Sequence, residues 1–260
     1  MKKNIVTSIV FICSMAVVFA QKSSDKNASD LTVGAFIGLN IPQLTGGSGN
    51  PLSENWKSRQ GEAFGLTVNW YTGTHFAWRA DILYSSEGGQ RNGMQALAAS
   101  SFNPQIPAGT YFYADYNNES ILNYLEIPVM AKYFFSLSKS SRLYLDFGPY
   151  IGFMLNSKQK TGGSSIVYSD MAGKQPVTVN QQTGQPYAVP FDANTDITGQ
   201  INKINLGLTG GAGFTQKLIF GELVLDVRGA YGLSSIQHNP DNGDNRIGNL
   251  LVSLGYSIPL

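Results

Sequence analysis

Apolar and polar residues alternate along eight segments of the chain, with the period of two that is typical of half-buried β-strands. The connections between these segments run long, short, long, short, long, short, long. An even number of strands joined by alternating short turns and long loops is typical of a transmembrane β-barrel. We therefore predict an all-β fold, an eight-stranded antiparallel up-and-down transmembrane β-barrel. The predicted strands are Leu31–Ile41, Glu62–Tyr71, His75–Ser86, Ser120–Phe135, Leu143–Asn156, Ile201–Thr215, Glu222–Ser234 and Ile247–Ile258.

The parity of each strand indicates which residues face lipid and which face the lumen. In the segment from Leu143, the positions of Leu145 and Phe147 are apolar, while Asp146 has the opposite parity. Eight strands leave an interior just wide enough for side chains, so we expect the inward charges to form an ion-pair network that plugs the lumen. A selectivity filter in an open channel is the alternative. The predicted network contains Arg79, Asp81, Glu126, Lys132, Asp146, Glu222, Asp226 and Arg228.

The N-terminus has the pattern of a secretory signal peptide. Lys2 and Lys3 precede an apolar run that ends at Phe19, and Ala20 precedes a suitable cleavage point. We predict a signal peptide over residues 1–20 and one barrel domain over residues 21–260. The only cysteine, Cys13, lies in the signal, so disulfides are not expected in the mature chain. Export and an even strand count predict the outer membrane of a Gram-negative cell, with both termini periplasmic.

Composition excludes several classes of protein. Without Lys2 and Lys3, 16 basic residues stand against 17 acidic ones, which argues against a nucleic-acid partner. Charged residues make up only 13% of the chain, as expected where the outer wall faces lipid. The glycines between Gly207 and Gly213 are not followed by a predicted helix, so they are not a nucleotide-binding motif, and no cofactor is expected.

Two central strands carry the most distinctive residues. The run Asn123–Val129 (NYLEIPV), followed by Ala131-Lys132-Tyr133 and then Phe147–Gly152 (FGPYIG), resembles the PorT-like outer-membrane β-barrel family. That resemblance implies an outer-membrane barrel, and named members of the family are linked to type IX secretion and gliding. Pro128 cannot donate a ladder hydrogen bond, so it predicts a bulge or a local break.

The C-terminal tail looks like a barrel-assembly signal, in which a glycine is followed by hydrophobic residues at alternating positions. The residues that carry this similarity are Gly255, Tyr256, Ile258 and Leu260. The similarity implies the barrel-assembly machinery as a partner, in addition to outer-membrane lipid.

The two histidines test an enzymatic interpretation. Outer-membrane lipid A deacylases and surface proteases use a histidine beside a serine or carboxylates. His75 begins a strand at a short turn, and His238 precedes a segment, Asn239–Asp244, with strong turn chemistry. Asp241–Asn245 lacks the ligand spacing of a helix-loop-helix calcium site, so a plain turn is favoured there. We expect no catalytic residues and no metal.

The two longest predicted loops are the candidates for binding a partner. Residues 87–119 are rich in aromatic side chains and residues 157–200 are polar; in both, extension of the strands beyond the membrane is the main expectation and partner binding the alternative. A hairpin from residues 157–200 that enters the membrane would instead give ten strands. We predict a non-enzymatic barrel with a plugged polar lumen and a structural or partner-binding role. A porin-like channel for small solutes or ions is the alternative, and a surface enzyme such as a lipid A deacylase ranks third.

Overall fold

The framework of the molecule is a set of eight long strands. A computed structural model describes residues 30–47, 49–107, 109–180 and 183–260, and the predicted signal peptide, residues 1–20, lies outside the described residues. The strands are β1 (Leu31–Gly46), β2 (Gly61–Tyr71), β3 (Phe76–Ala98), β4 (Tyr111–Ser136), β5 (Ser141–Gly162), β6 (Ile204–Lys217), β7 (Glu222–Gly232) and β8 (Asn245–Pro259).

These strands close into a ring. Strands that are consecutive in the chain pair antiparallel with each other. β8 also pairs with β1, where Gly255 lies opposite Phe36. A short strand, Ala193–Asp196, adds only to the end of β5. The eight-stranded antiparallel barrel is confirmed, and the described residues of the 157–200 segment add no membrane hairpin to the ring.

The alternation of the sequence places apolar side chains outside and polar ones inside. Ile37 and Phe147 are 70% and 61% exposed on the outer wall, whereas Arg79 and Asp146 are buried. This band of exposed apolar residues recurs on all eight strands. An apolar outer wall around a polar interior is the arrangement that a bilayer requires of a barrel.

Three strands continue well past the predicted ends. β3 extends to Ala98, β4 begins at Tyr111 and β5 extends to Gly162, so most of the predicted loop 87–119 is strand. The predicted strand bounds stop short of these ends because residues such as Gln90 and Asn92 are polar and break the apolar alternation. The expectation of strand extension is confirmed. We call residues 87–98, 111–119 and 157–162 the collar.

The collar stands at the end of the barrel that carries the long loops. Two small hairpins pack there, formed by Ser164–Ile166 with Ala188–Pro190 and by Thr178–Asn180 with Gln185–Pro186. The opposite end has the short turns 72–75, 137–140 and 218–221. Helices in the described residues are single 3-10 turns, and none is long and apolar enough to span a bilayer.

Of the two alternatives predicted for Pro128, a bulge or a local break, the structure has the local break. The register between β4 and β5 shifts between Asn123 and Tyr124, and no shift occurs at Pro128. The ladder between β4 and β3 runs from Val129 to Glu126 without pairs at the two residues between them. The missing amide of proline therefore interrupts the ladder without changing its register.

Candidate functional site: the closed lumen

A layer of ion pairs crosses the middle of the lumen. The Arg79 guanidinium donates from Nε to Asp81 Oδ1 at 2.9 Å, and from Nη1 to Asp146 Oδ2 at 3.0 Å and to Asp226 Oδ2 at 3.2 Å. These carboxylates belong to β3, β5 and β7, so one side chain joins three strands. We call Arg79, Asp81, Asp146, Asp226 and Arg228 the ion layer.

The second arginine completes this layer from the opposite wall. Arg228 donates from Nη1 to Asp81 Oδ2 at 2.9 Å and from Nη2 to Asp226 Oδ2 at 2.8 Å. Asp226 Oδ1 also accepts from the Tyr144 hydroxyl at 2.7 Å. β3 and β7 lie half a turn apart in an eight-stranded ring, so the bond from Arg228 to Asp81 spans the lumen. All five members of the ion layer are buried, which gives these bonds little competition from water.

Lys132 lies beside the ion layer and contacts aromatic rings. Its ammonium is 3.5 Å from the centre of the Tyr144 ring and 5.3 Å from that of Phe134. Among the described residues no carboxylate oxygen lies within 4.0 Å of it. Its positive charge nonetheless balances the layer, because two arginines and Lys132 face three aspartates.

Glu222 and Glu126, the other predicted members, lie elsewhere in the lumen. Glu222 accepts from Arg142 Nη2 at 2.7 and 3.0 Å near the short turns, in a separate and partly exposed ion pair. Glu126 is buried on the other side of the ion layer, and its Oε1 has no partner in the described residues. Sequence parity places both residues inward, and their positions along β7 and β4 place them at different levels of the barrel.

Glu87 is a buried carboxylate of the lumen that the predicted network does not contain. It is fully buried, and its Oε1 accepts from Ser85, Asn40 and Asn249. The signal was present, because Glu87 continues the inward parity of Arg79. Polar residues follow Glu87 and interrupt the apolar alternation, so the predicted strand ends at Ser86, one residue before it.

An apolar cluster covers the lumen at the long-loop end. Ile197 and Ile236 come from the loops, and they pack against inward residues of the barrel wall. Trp56 packs against the same cluster. We call this cluster the apolar lid; its buried members are Leu44, Leu122, Tyr124, Ile197, Ile236 and Ile247.

On the other side of the ion layer, little free space remains. A cavity of about 20 Å³ is lined by Arg79, Lys132 and Asp226, together with Thr67 and Asn69. This volume is sufficient for about one water molecule. The lid, the ion layer and this small cavity follow one another along the axis, so the described lumen is filled and not open.

Neither histidine has a nucleophile as its partner. His75 Nδ1 lies 3.0 Å from the carbonyl of Phe134, beside a short turn. His238 Nδ1 lies 3.3 Å from Asn202 Oδ1 in an exposed loop. Ser234, the nearby serine, donates to Asn205 Oδ1. Within the described parts of the chain, no three His, Cys, Asp or Glu side chains gather as a metal site.

The predicted assembly signal covers the last residues of β8 and Leu260, which follows the strand. Tyr256 and Leu260 are exposed toward the lipid side, and Ile258 is half-buried. A Cβ at Gly255 would lie 3.0 Å from Ala35 O and from Phe36 Cβ, so the close contact with β1 favours glycine. Recognition of this segment by the assembly machinery stays a prediction.

A closed antiparallel ring with an apolar wall and buried charges inside defines a transmembrane β-barrel of the outer-membrane type. The family described as the outer membrane protein beta-barrel domain matches residues 19–237. The chain belongs to this family, and the outer membrane is therefore its location. The narrower PorT-like resemblance stays a prediction.

Solved structures with a similar architecture come from several bacteria. Neisserial surface protein A is 13% identical, with 90% of this chain and 100% of that one covered and a TM-score of 0.41. Ail of Yersinia pestis is 12% identical, with 87% and 98% covered and a TM-score of 0.37. OprG of Pseudomonas aeruginosa is 9% identical, with 90% and 97% covered and a TM-score of 0.38. No curated protein matches the chain.

Proposed function

We propose that this protein is a non-conducting, non-enzymatic outer-membrane barrel that acts by binding a partner through its collar. The observation that carries the proposal is the ion layer, in which Arg79 and Arg228 join carboxylates on three strands across the lumen. The apolar lid lies above it. A solute would have to break buried charge pairs to pass, and breaking them costs several kcal/mol.

The collar offers the surface for such a partner. Tyr116 stacks on Phe191 with ring centres 4.3 Å apart, and the Arg91 guanidinium lies 4.5 Å from the centre of the Trp56 ring. These contacts hold the collar rigid, which lowers the entropy cost of binding. A cleft of about 310 Å³ opens between its strands and loops. The cleft combines apolar and polar side chains, among them Glu54, Arg91, Met94, Tyr113 and Met171.

The orientation follows from the barrel's connections. Short turns belong to the periplasmic side in barrels of this type and long loops to the outside. The collar then projects from the cell, and both termini are periplasmic. The resemblance of Asn123–Val129 to the PorT-like family favours a component of the type IX secretion apparatus as the partner.

Conductance of the refolded protein in planar bilayers tests the closed lumen. We expect no steady conductance from the wild type, and leakage from Arg228→Ala because two carboxylates lose a cation. The matched variant is Arg246→Ala, which removes the same side chain from an exposed pair with Asp244 at 3.6 Å, and it should stay silent. Steady conductance of the wild type would refute a closed barrel and favour the channel.

Site-specific photocrosslinking in cells tests the collar. A crosslinking residue in place of Tyr113, in the cleft, should trap one defined protein. The same residue in place of Tyr133, on the lipid-facing wall, should trap none. Identical products from both positions, or none from Tyr113, would contradict partner binding through the collar.

A further inference from the structure

Between the ion layer and the apolar lid, the lumen contains two carboxyl groups that form no ion pair within 4.0 Å with a cation of the described residues. Glu87 is 0% exposed and Glu126 is 5% exposed. The positive charges of the ion layer and of Lys132 are already matched by three aspartates. Arg59, at the edge of the collar, pairs with Glu119 at 3.0 Å. Two buried carboxylates without a cation at ion-pair distance are costly, so this part of the lumen favours a bound positive charge.

Glu87 is oriented like a ligand that is fixed by its surroundings. Its Oε1 accepts from Ser85 Oγ at 2.5 Å, Asn249 Nδ2 at 2.7 Å and Asn40 Nδ2 at 2.9 Å. Its Oε2 is buried and has no hydrogen-bond partner. Donors on one carboxylate oxygen that leave the other free are typical of the outer shell around a bound cation.

Three of the other buried oxygens that lack a hydrogen-bond partner in the described residues lie on this side of the ion layer. They are Asn40 Oδ1, the Tyr124 hydroxyl and Glu126 Oε1, and the side chains of Asn40 and Tyr124 are fully buried. The Asn40 amide donates to Glu87 from its nitrogen, so the side chain contacts that carboxylate while its own oxygen has no partner in the described residues. Tyr124 lies opposite Ser85 in the β3–β4 ladder, and Ser85 is a donor to Glu87.

Glu126 and Tyr124 approach each other over a glycine of β5. A Cβ at Gly152 would lie 3.5 Å from Glu126 Cγ and 3.4 Å from Tyr124 Cδ1. The absence of a side chain at Gly152 therefore leaves room beside both residues. The four free oxygens thus come from the inward faces of β1, β3 and β4, on one side of the ion layer.

We propose that these oxygens hold one hard divalent cation of the Ca²⁺ type. Two carboxylates match its charge, and the amide oxygen of Asn is an ordinary Ca²⁺ ligand. The Tyr124 hydroxyl adds a fourth oxygen. A single shared proton would join only two acceptors and leave the oxygen of Asn40 unpaired. The ligands named here are all oxygens, which disfavours softer transition metals.

The apolar lid separates this site from the solvent above it, so the cation is loaded while the barrel forms. The full mature chain is therefore refolded with Ca²⁺ or with a chelator, and the Ca²⁺ retained after gel filtration is measured. We expect about one Ca²⁺ per chain in the wild type. Glu126→Gln, which removes one charge with little change of shape, should lower the affinity at least roughly tenfold. The matched control is Asp244→Asn, an exposed carboxyl, which should retain the wild-type affinity.

Tyr124→Phe is a second variant, which removes one oxygen and keeps both charges. We expect it to fold and to bind Ca²⁺ more weakly than the wild type. A wild-type barrel without stoichiometric Ca²⁺ would overturn the proposal, as would unchanged affinity in both variants. An infrared band of a protonated carboxyl that is present in the Ca²⁺-treated wild type and absent from Glu126→Gln would also overturn it, in favour of a shared proton.

Discussion

Replacing Arg228 by methionine tests the energetic role of the ion layer. The side chain of Arg228 is 4% exposed and bonds to Asp81 at 2.9 Å and to Asp226 at 2.8 Å. Removing one member of a buried ion pair costs about 3–5 kcal/mol. Arg79 still bonds to both carboxylates, so we expect the lower value, about 3 kcal/mol. At about 1.36 kcal/mol per factor of ten, the unfolding equilibrium constant rises by about two orders of magnitude.

The assay is urea unfolding of the refolded barrel in detergent micelles, followed by tryptophan fluorescence. Arg246→Met is the matched control, because Arg246 pairs with Asp244 at 3.6 Å where both side chains are exposed. Exposed pairs contribute about 0–1 kcal/mol, so the control should unfold almost like the wild type. If Arg228→Met lost no more stability than the control, the ion layer would not stabilise the fold in the way derived above.

Two further substitutions separate packing from charge. Lys132→Met removes a cation that lies 3.5 Å from the centre of the Tyr144 ring. Urea unfolding should show that the free energy of unfolding falls by about 2 kcal/mol. A gain in stability would contradict a stabilising cation–π contact. Gly148→Ala should sharply lower the yield of folded barrel on a heat-modifiability gel, because a Cβ there would lie 2.0 Å from the carbonyl of Val129. Gly73→Ala is its control, since a Cβ at Gly73 meets nothing within 4 Å, and equal yields from both variants would show that the strand contact tolerates a side chain.

The sequence predicts the barrel well because one physical rule governs every membrane-spanning strand: apolar side chains face lipid and polar side chains face the lumen. Asp226 and Arg228 share a parity opposite to that of Leu225 and Val227, and the structure buries the first pair and exposes the second. Where the strands extend beyond the bilayer, outward residues no longer need to be apolar, and the alternation is lost. The strand bounds predicted from alternation therefore end before the collar, and Glu87 lies just beyond the predicted end of its strand.

The partners within the lumen could not be derived from parity alone. Which carboxylate meets Arg79 depends on the stagger between strands that are far apart in the chain. Glu222 begins β7 directly after the short turn 218–221, so its place at that end follows from the sequence, but its contact with Arg142 of β5 does not. Contacts of this kind require the closed ring, and local alternation contains no information on them.

The bond from Arg228 to Asp81 also has a kinetic consequence. It joins residues 147 positions apart, on strands at opposite sides of the barrel. Because strands β3 to β7 must pair and curve before these two side chains can meet, we expect the contact to form late in folding. Interactions that form after the rate-limiting step slow unfolding and leave the folding rate almost unchanged. We therefore expect the ion layer to slow the unfolding of the inserted barrel and to leave its folding rate almost unchanged.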